Sequence, residues 1–275
     1  MPELPEVETT RQGLLPLVTG QRITKVRLRE RRLRWAAPAN LARLLEGRTI
    51  GGITRRAKYL LWDIESQRDG GLLLCHLGMS GTLFSVSARA RPKPHDHLDI
   101  VLDNGLAIRY NDPRRFGAVL WIPGSTASHP LLNHLGPEPL TDAFSGEHLY
   151  RLSRGRRVDV KQFIMDAKVV VGVGNIYASE SLFEAGIRPD RAAGRISARR
   201  YDALAAAIRN VLMRAIARGG SSLRDYVNAE GASGYFQLEA HVYGRAGEAC
   251  HQCGQPVRHL WQGQRSTYYC AHCQT

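Results

Sequence analysis

The residues with the greatest chemical reach stand at the two ends of the chain. Near the start, Pro2 is followed by Glu3 and Glu6. A methionine ahead of a small residue such as Pro2 is normally trimmed, so the mature chain is expected to begin with a secondary amine. An α-amino group titrates at about 7.7–8.0 in model peptides, so part of it is unprotonated and nucleophilic at neutral pH. Attack of such an amine on a sugar or carbonyl carbon gives an iminium, a covalent electron sink. With Met1 attached the same nitrogen is a tertiary amide without a nucleophilic lone pair, so removal of Met1 is a condition of this chemistry. Glu3 and Glu6 lie three residues apart, which sets two carboxylates on one side of a helical turn. A purely local reading also stands: Pro5 opens a helix and the acids offset its dipole.

At the far end, Cys250, Cys253, Cys270 and Cys273 form the pattern C-x2-C-x16-C-x2-C. Two such knuckles place four thiolates at the corners of a tetrahedron, the donor set of a closed, structural zinc site. The competing reading is a pair of disulfide or redox couples, disfavoured in a reducing compartment. His251 and His272 lie inside the knuckles but are not needed as ligands. Between the knuckles, Val257–Tyr269 reads as a hairpin bearing Arg258, His259, Gln264 and Arg265, which either enters a nucleic-acid groove or is a solvated turn. The fifth cysteine, Cys75, sits in an apolar run and reads as a small buried hydrophobe.

Three further stretches combine polar chemistry with backbone freedom. Lys161 lies in a helical segment that leads through Gly172 and Gly174 to a second helix at Asn175. Two helices joined by a glycine-containing turn present free N–H groups to a phosphate, with Lys161 and Asn175 on its two sides; a ligand-free turn is the alternative. Asp112 to Gly117 sets Arg114 and Phe116 in one loop, a combination suited to entering a base stack, and the turn Leu77 to Gly81 offers Met79 as an apolar tip. His95, Asp96 and His97 form a polar cluster without an evident third metal-ligand set. Lys58, at the start of a strand, is either a solvated strand end or a partner for Pro2.

The elements that must carry these residues change character along the chain. A helical period from Pro5 to about Val18 ends at Gly20. It gives way to short strand-like runs at Ile23–Leu28, Thr49–Arg55, Tyr59–Ile64, Leu72–His76, Thr82–Val86, Leu98–Leu102, Leu106–Tyr110 and Ala118–Ile122, with a short helix at Leu41–Leu45. Asp103, Asn104 and Gly105 make a hairpin turn. Many short strands at this spacing predict a β-sandwich or barrel with the first helix packed on it. After Pro123 the texture turns helical, at His129–Leu135, Gly146–Ser153, Asp159–Lys168, Asn175–Ala185 and Ala198–Arg218. A polar stretch, Ser221–Ser233, then reads as a loop. The expected division is 1–124, 125–234 and 235–275, giving an α+β multidomain chain.

The 275 residues carry a formal charge of +13. Spread over many arginines, that charge points to a polyanionic partner, most simply nucleic acid. No apolar run approaches the roughly 18–20 residues of a membrane span, and the acidic start is unlike a signal peptide, so a cytoplasmic protein with no membrane partner is expected.

The quoted residues also resemble a known family. Pro2 to Thr9, Arg55 to Leu60, His76 to Gly81, Asp112 to Gly117, Val171 to Glu180, Val242 to Arg245 and the four terminal cysteines follow, nearly end to end, the pattern of bacterial formamidopyrimidine-DNA glycosylases, also called DNA-(apurinic or apyrimidinic site) lyases. The resemblance implies an N-terminal β-sandwich with flanking helices, a helix–two-turn–helix domain and a C-terminal four-cysteine zinc finger, with duplex DNA bound between lobes by a monomer. It implies Pro2 as Schiff-base nucleophile, Glu3 as the acid opening the deoxyribose ring, Glu6 as a second active-site carboxylate, Lys58 as general acid/base, and Arg265 as an aid to the second elimination. His95, Arg114, Arg156, Lys161 and Asn175 correspond to DNA contacts. Met79, Arg114 and Phe116 correspond to the side chains that fill the stack, and Ser221–Ser233 to a loop capping the damaged base. Asn111, Ser221, Ser222, Leu260 and Trp261 depart from the common pattern.

The implied activity is that of a bifunctional base-excision repair enzyme removing oxidised purines, with one structural Zn2+ and no redox or nucleotide cofactor. An endonuclease VIII-type enzyme for oxidised pyrimidines shares the amine, clamp and finger, but Leu4 and the Met79, Arg114 and Phe116 set favour the purine enzyme. A non-catalytic zinc-containing DNA-binding protein would have no use for a free Pro2 amine.

Overall fold

The computed structural model describes residues 2–65, 70–124, 129–220 and 240–275. Met1 and the expected capping loop, Ser221–Ser233, lie outside the described residues. The chain forms two compact units, Met1–Asn133 with Arg218–Tyr235, and His134–Ala217 with Phe236–Thr275.

The first unit opens with helix α1, Leu4–Val18, started by Pro5 and by a capping box in which Glu3 and Glu6 each meet the other's backbone. Leu4, Val7, Leu14 and Val18 face inward from it. Eight strands follow, with helix α2, Leu41–Leu45, after the first of them. Strands β1 (Ile23–Leu28), β5 (Thr82–Ser87), β6 (Asp96–Leu102) and β7 (Leu106–Asn111) make one antiparallel sheet in the order β1-β6-β7-β5. Strands β2 (Thr49–Arg56), β3 (Tyr59–Glu65), β4 (Gly71–His76) and β8 (Ala118–Pro123) make the other, in the order β2-β3-β4-β8. A single core draws on both sheets and both helices, with Leu14, Leu41, Ile50, Trp62, Leu73, Ile100 and Ile108 among its members. This is the expected sandwich with a helix packed on it, and β4, covered on both sides, is apolar along its length until His76. Cys75 is buried there, and burial pushes its thiol up to about 12, leaving it inert.

The second unit holds α3 (Gly146–Ser153), α4 (Val160–Met165), α5 (Asn175–Glu184) and α6 (Ala198–Ala217), then the hairpin of β9 (Arg258–Gln262) and β10 (Arg265–Tyr269). Ser145 caps α3, its hydroxyl accepting from His148 N–H at 3.1 Å. The expected helix at His129–Leu135 is a turn instead. His129 N–H donates to the Asn133 side chain and its ring accepts from Leu131 N–H, so local side-chain bonds replace the helical ladder. The predicted helix at Asp159–Lys168 covers only Val160–Met165, because its remaining residues turn toward Gly172, whose φ of 82° admits the bend.

Candidate active site

Pro2, Glu3 and Glu6 are all buried at the head of α1. Glu3 N–H donates to Glu6 Oε2 at 2.7 Å, and the Thr10 hydroxyl donates to the Glu6 carbonyl. Gly220 packs on the same residue, since a Cβ there would lie 3.1 Å from Glu6 Oε1. Glu8, the third acid of the segment, is consumed elsewhere. Burial works against its charge, but Arg11 at 2.7 Å and Arg55 at 3.0 Å hold its carboxyl below the ordinary carboxylate range. The nucleophile and helix-cap readings of this segment are therefore compatible: the two acids start the helix and Pro2 is buried just ahead of it.

Lys58 occupies the two-residue turn between β2 and β3, after Ala57 at φ 55°. That turn sets it near a residue the sequence reading did not single out. His76, cross-strand from Tyr59 with ring centroids 4.8 Å apart, accepts Gly78 N–H on Nδ1 at 3.1 Å. Burial, then the charges of Lys58 and Arg34, push its imidazole down to about 4, against an opposing pull from Asp112. It is neutral at physiological pH. The available signal was a polar side chain closing an otherwise apolar strand.

Met79, His95, Arg114, Arg115 and Phe116 are exposed on loops of the same unit. The Arg114 guanidinium lies 4.8 Å from the Phe116 ring centroid, so the two side chains expected in a base stack already share a cation–π contact. His95 is held at φ 71°. The neighbouring Asp96 and His97 make no metal cluster: Asp96 pairs with Arg109 at 3.2 Å and with Asn111, and His97 Nε2 donates to the Asp112 carbonyl at 2.8 Å.

In the second unit, Lys161 and Asn175 come together, but not as two open arms. Lys161 is 1% exposed, and its ammonium donates to Asn175 Oδ1 at 2.6 Å, Thr267 Oγ1 at 2.7 Å and the Ser266 carbonyl at 3.1 Å. Asn175 Nδ2 donates to the same carbonyl at 3.0 Å and reaches Tyr243 Oη at 3.4 Å. Lys161 thus braces Asn175 and the finger hairpin from within. Glu180, on α5, accepts N–H groups of His241, Val242 and Tyr243, which sequence reasoning also passed over. Arg156 is exposed, its carbonyl held by Gly194 N–H.

The predicted hairpin forms between Arg258 and Tyr269, turning through Gly263 and Gln264, both at positive φ as a type I′ turn requires. Arg265 follows that turn and is exposed beside a cleft of about 260 Å³ that it shares with Gln162, Asp166 and Gln262. The four cysteines gather as the spacing predicts. Their sulfurs all lie within 4.8 Å of one another, with Cys250 to Cys273 at 3.9 Å and Cys253 to Cys270 at 3.4 Å. A tetrahedron with Zn–S bonds of about 2.3 Å has edges of about 3.8 Å, so the set fits zinc.

A β-sandwich headed by a buried Pro2, a helix–turn–helix brace and a four-sulfur finger together define a zinc-bearing protein of the nucleic-acid-binding class. Residues 1–119 match the formamidopyrimidine-DNA glycosylase N-terminal domain, 135–227 its H2TH domain, and 247–275 the zinc finger found in FPG and IleRS. The formamidopyrimidine-DNA glycosylase of Thioalkalivibrio sulfidiphilus is 57% identical over all of both chains. The crystal structure of the MutM (Fpg) protein from Thermus thermophilus is similar with a TM-score of 0.87 at 38% identity, covering 99% of this chain and 98% of that one. A complex of a Lactococcus lactis Fpg mutant with DNA containing Fapy-dG matches with a TM-score of 0.90 at 33% identity, over 99% of each chain. The chain belongs to the formamidopyrimidine-DNA glycosylase family. The four cysteines are accordingly the ligands of one structural zinc ion, which supplies folding energy to the finger.

Proposed function

We propose that the chain is a base-excision repair DNA glycosylase and DNA-(apurinic or apyrimidinic site) lyase acting on oxidised purines, 8-oxoguanine and formamidopyrimidines, in duplex DNA. The observation that carries this reading is the burial of Pro2 with Glu3 and Glu6 at the head of the chain, in a member of this family. The Pro2 nitrogen attacks C1′ of the flipped nucleotide as the glycosidic bond breaks and the base leaves with its electron pair. Glu3 then protonates O4′ as the ring opens to an iminium. The iminium acidifies C2′, and loss of that proton expels the 3′ phosphate; a second elimination expels the 5′ phosphate. Glu6 holds the amine and a water, Lys58 moves protons in the lyase steps, and Arg265 assists the second elimination.

The DNA contacts are assigned to His95, Arg114, Arg156 and Asn175, with Lys161 supporting the last of these from behind. Met79, Arg114 and Phe116 fill the place of the flipped base. Functionally the chain divides at 1–124, 125–234 and 235–275. Among the described residues no helix is long and apolar enough to cross a membrane, and we infer a cytoplasmic monomer that works on the nucleoid. Borohydride trapping on duplex DNA with an abasic site tests the mechanism. The wild-type chain gives a covalent adduct and Pro2→Thr gives none; an undiminished adduct from the variant sinks the reading.

A further inference from the structure

The loops that carry Met79, Arg114 and Phe116 meet at a side chain for which the chemistry above has no use. Asp112, at the end of β7, is 0% exposed. Its Oδ1 accepts the Ser80 hydroxyl at 2.8 Å, and its Oδ2 accepts the Tyr110 hydroxyl at 3.1 Å and Gly117 N–H at 2.9 Å. Its own N–H donates to the His95 carbonyl at 3.1 Å, and its carbonyl accepts from Arg115 N–H at 3.2 Å and from His97 Nε2 at 2.8 Å. Ser80 passes the link on by accepting Arg114 N–H at 3.2 Å. One residue therefore ties together the turn of Met79, the loop of Arg114 and Phe116, and the loop of His95.

The two stack-filling loops also touch backbone to backbone. A Cβ on Gly78, at φ +63°, would lie 2.4 Å from the Phe116 carbonyl carbon, and one on Gly117 would lie 1.8 Å from Tyr110 Oη. Above this junction Met79 and Phe116 remain 41% and 42% exposed. His95 and Arg115, non-glycine residues at φ 71° and 55°, are each tied to Asp112 by a backbone bond. Such conformations persist only where the surroundings over-determine them.

We propose that Asp112 is a positioning residue for base eversion. Its buried carboxylate holds the loops of Met79, Arg114 and Phe116 in the shape that fills the stack, so no loop ordering has to accompany displacement of the base. This rests on the repair reading given above. A carboxylate suits the place because it offers acceptors to all three donors at once. An asparagine amide would set an N–H against Gly117 or Tyr110, or turn it on Ser80 and displace the hydroxyl's donation.

The test compares two substrates under single-turnover conditions, a duplex with 8-oxoguanine and a duplex with a preformed abasic site, using wild type, Asp112→Asn and Ser80→Ala. An abasic site has no base to displace, so it depends less on the stack-filling side chains. Both variants are expected to excise 8-oxoguanine about tenfold more slowly, the rate equivalent of one hydrogen bond to a charged acceptor, while cutting the abasic duplex within about twofold of wild type. Fluorescence of 2-aminopurine beside the lesion should report eversion slowed by the same factor. Equal losses on both substrates mean general damage and overturn the proposal, as does undiminished excision by both variants. Ser80→Ala leaves the buried acid in place and decides the matter if Asp112→Asn does not fold. A wild-type chain that cuts abasic DNA but releases no oxidised purine defeats the repair reading itself, a result visible before any variant is compared.

Discussion

Holding His76 neutral makes the stability of the sandwich depend on pH in a calculable way. Its folded-state value of about 4 lies below the ordinary 6.5 because burial, Lys58 and Arg34 all disfavour the imidazolium, while Asp112 only partly offsets them. Between those two values the unfolded chain binds more protons than the folded one, so stability is fully present above pH 6.5 and is lost as pH falls toward 4. Integrating this difference gives a loss of ~1.4 kcal/mol at pH 5.5, ~2 kcal/mol at pH 5 and ~3 kcal/mol at pH 4 from this one group. His76→Gln keeps an acceptor for Gly78 N–H but cannot be protonated. Urea unfolding of both proteins from pH 7.5 to 5 isolates the effect: the variant's decline should be shallower by ~2 kcal/mol at pH 5. Parallel declines, or an NMR titration placing the His76 imidazole near 6.5, would refute the reasoning. The neutral ring also spares Lys58 a second cation on the adjoining strand.

Other outcomes follow from the remaining contacts. Lys161→Met should destabilise the second unit by about 3 kcal/mol, because it strands the acceptors on Asn175 and Thr267 and takes one of two donors from the Ser266 carbonyl; a chemical-denaturation curve matching wild type would contradict the bracing role. Removing zinc with a chelator should weaken DNA binding while circular dichroism still shows the sandwich melting normally, since the four sulfurs share a small core of their own with Phe183, Val242, Val257 and Tyr268. Affinity for DNA should fall steeply and log-linearly with salt, and a flat dependence would argue against phosphate contacts as its main source. Release of 8-oxoguanine should outpace that of thymine glycol in matched duplexes; the reverse order would favour an oxidised-pyrimidine enzyme.

What the sequence made legible, and what it hid, divides along physical lines. The short strand-like runs, the Asp103 to Gly105 turn and the cysteine spacing are local signals, and each reappears in the structure because nothing remote competes with it. The helix expected at His129–Leu135 failed where side-chain bonds from His129 and Asn133 won locally over a weak helical period. Lys161 was legible as a cation near a glycine turn, but its burial depends on Ser266 and Thr267, more than a hundred residues away. No spacing rule brings those residues together. His76 and Asp112 were hidden for a related reason: each lies inside a readable motif, yet its partners come from neighbouring strands and loops. Exposed residues such as Met79 and Phe116 declare themselves by type, since an apolar tip on a turn is out of place. The buried polar residues that aim them do so only after the chain has folded, because a hydrogen-bonded aspartate in a core has no one-dimensional signature. The expectation for comparable chains is that the side chains touching a substrate are found first, and those that set its geometry are found by asking where each buried carboxylate sends its lone pairs.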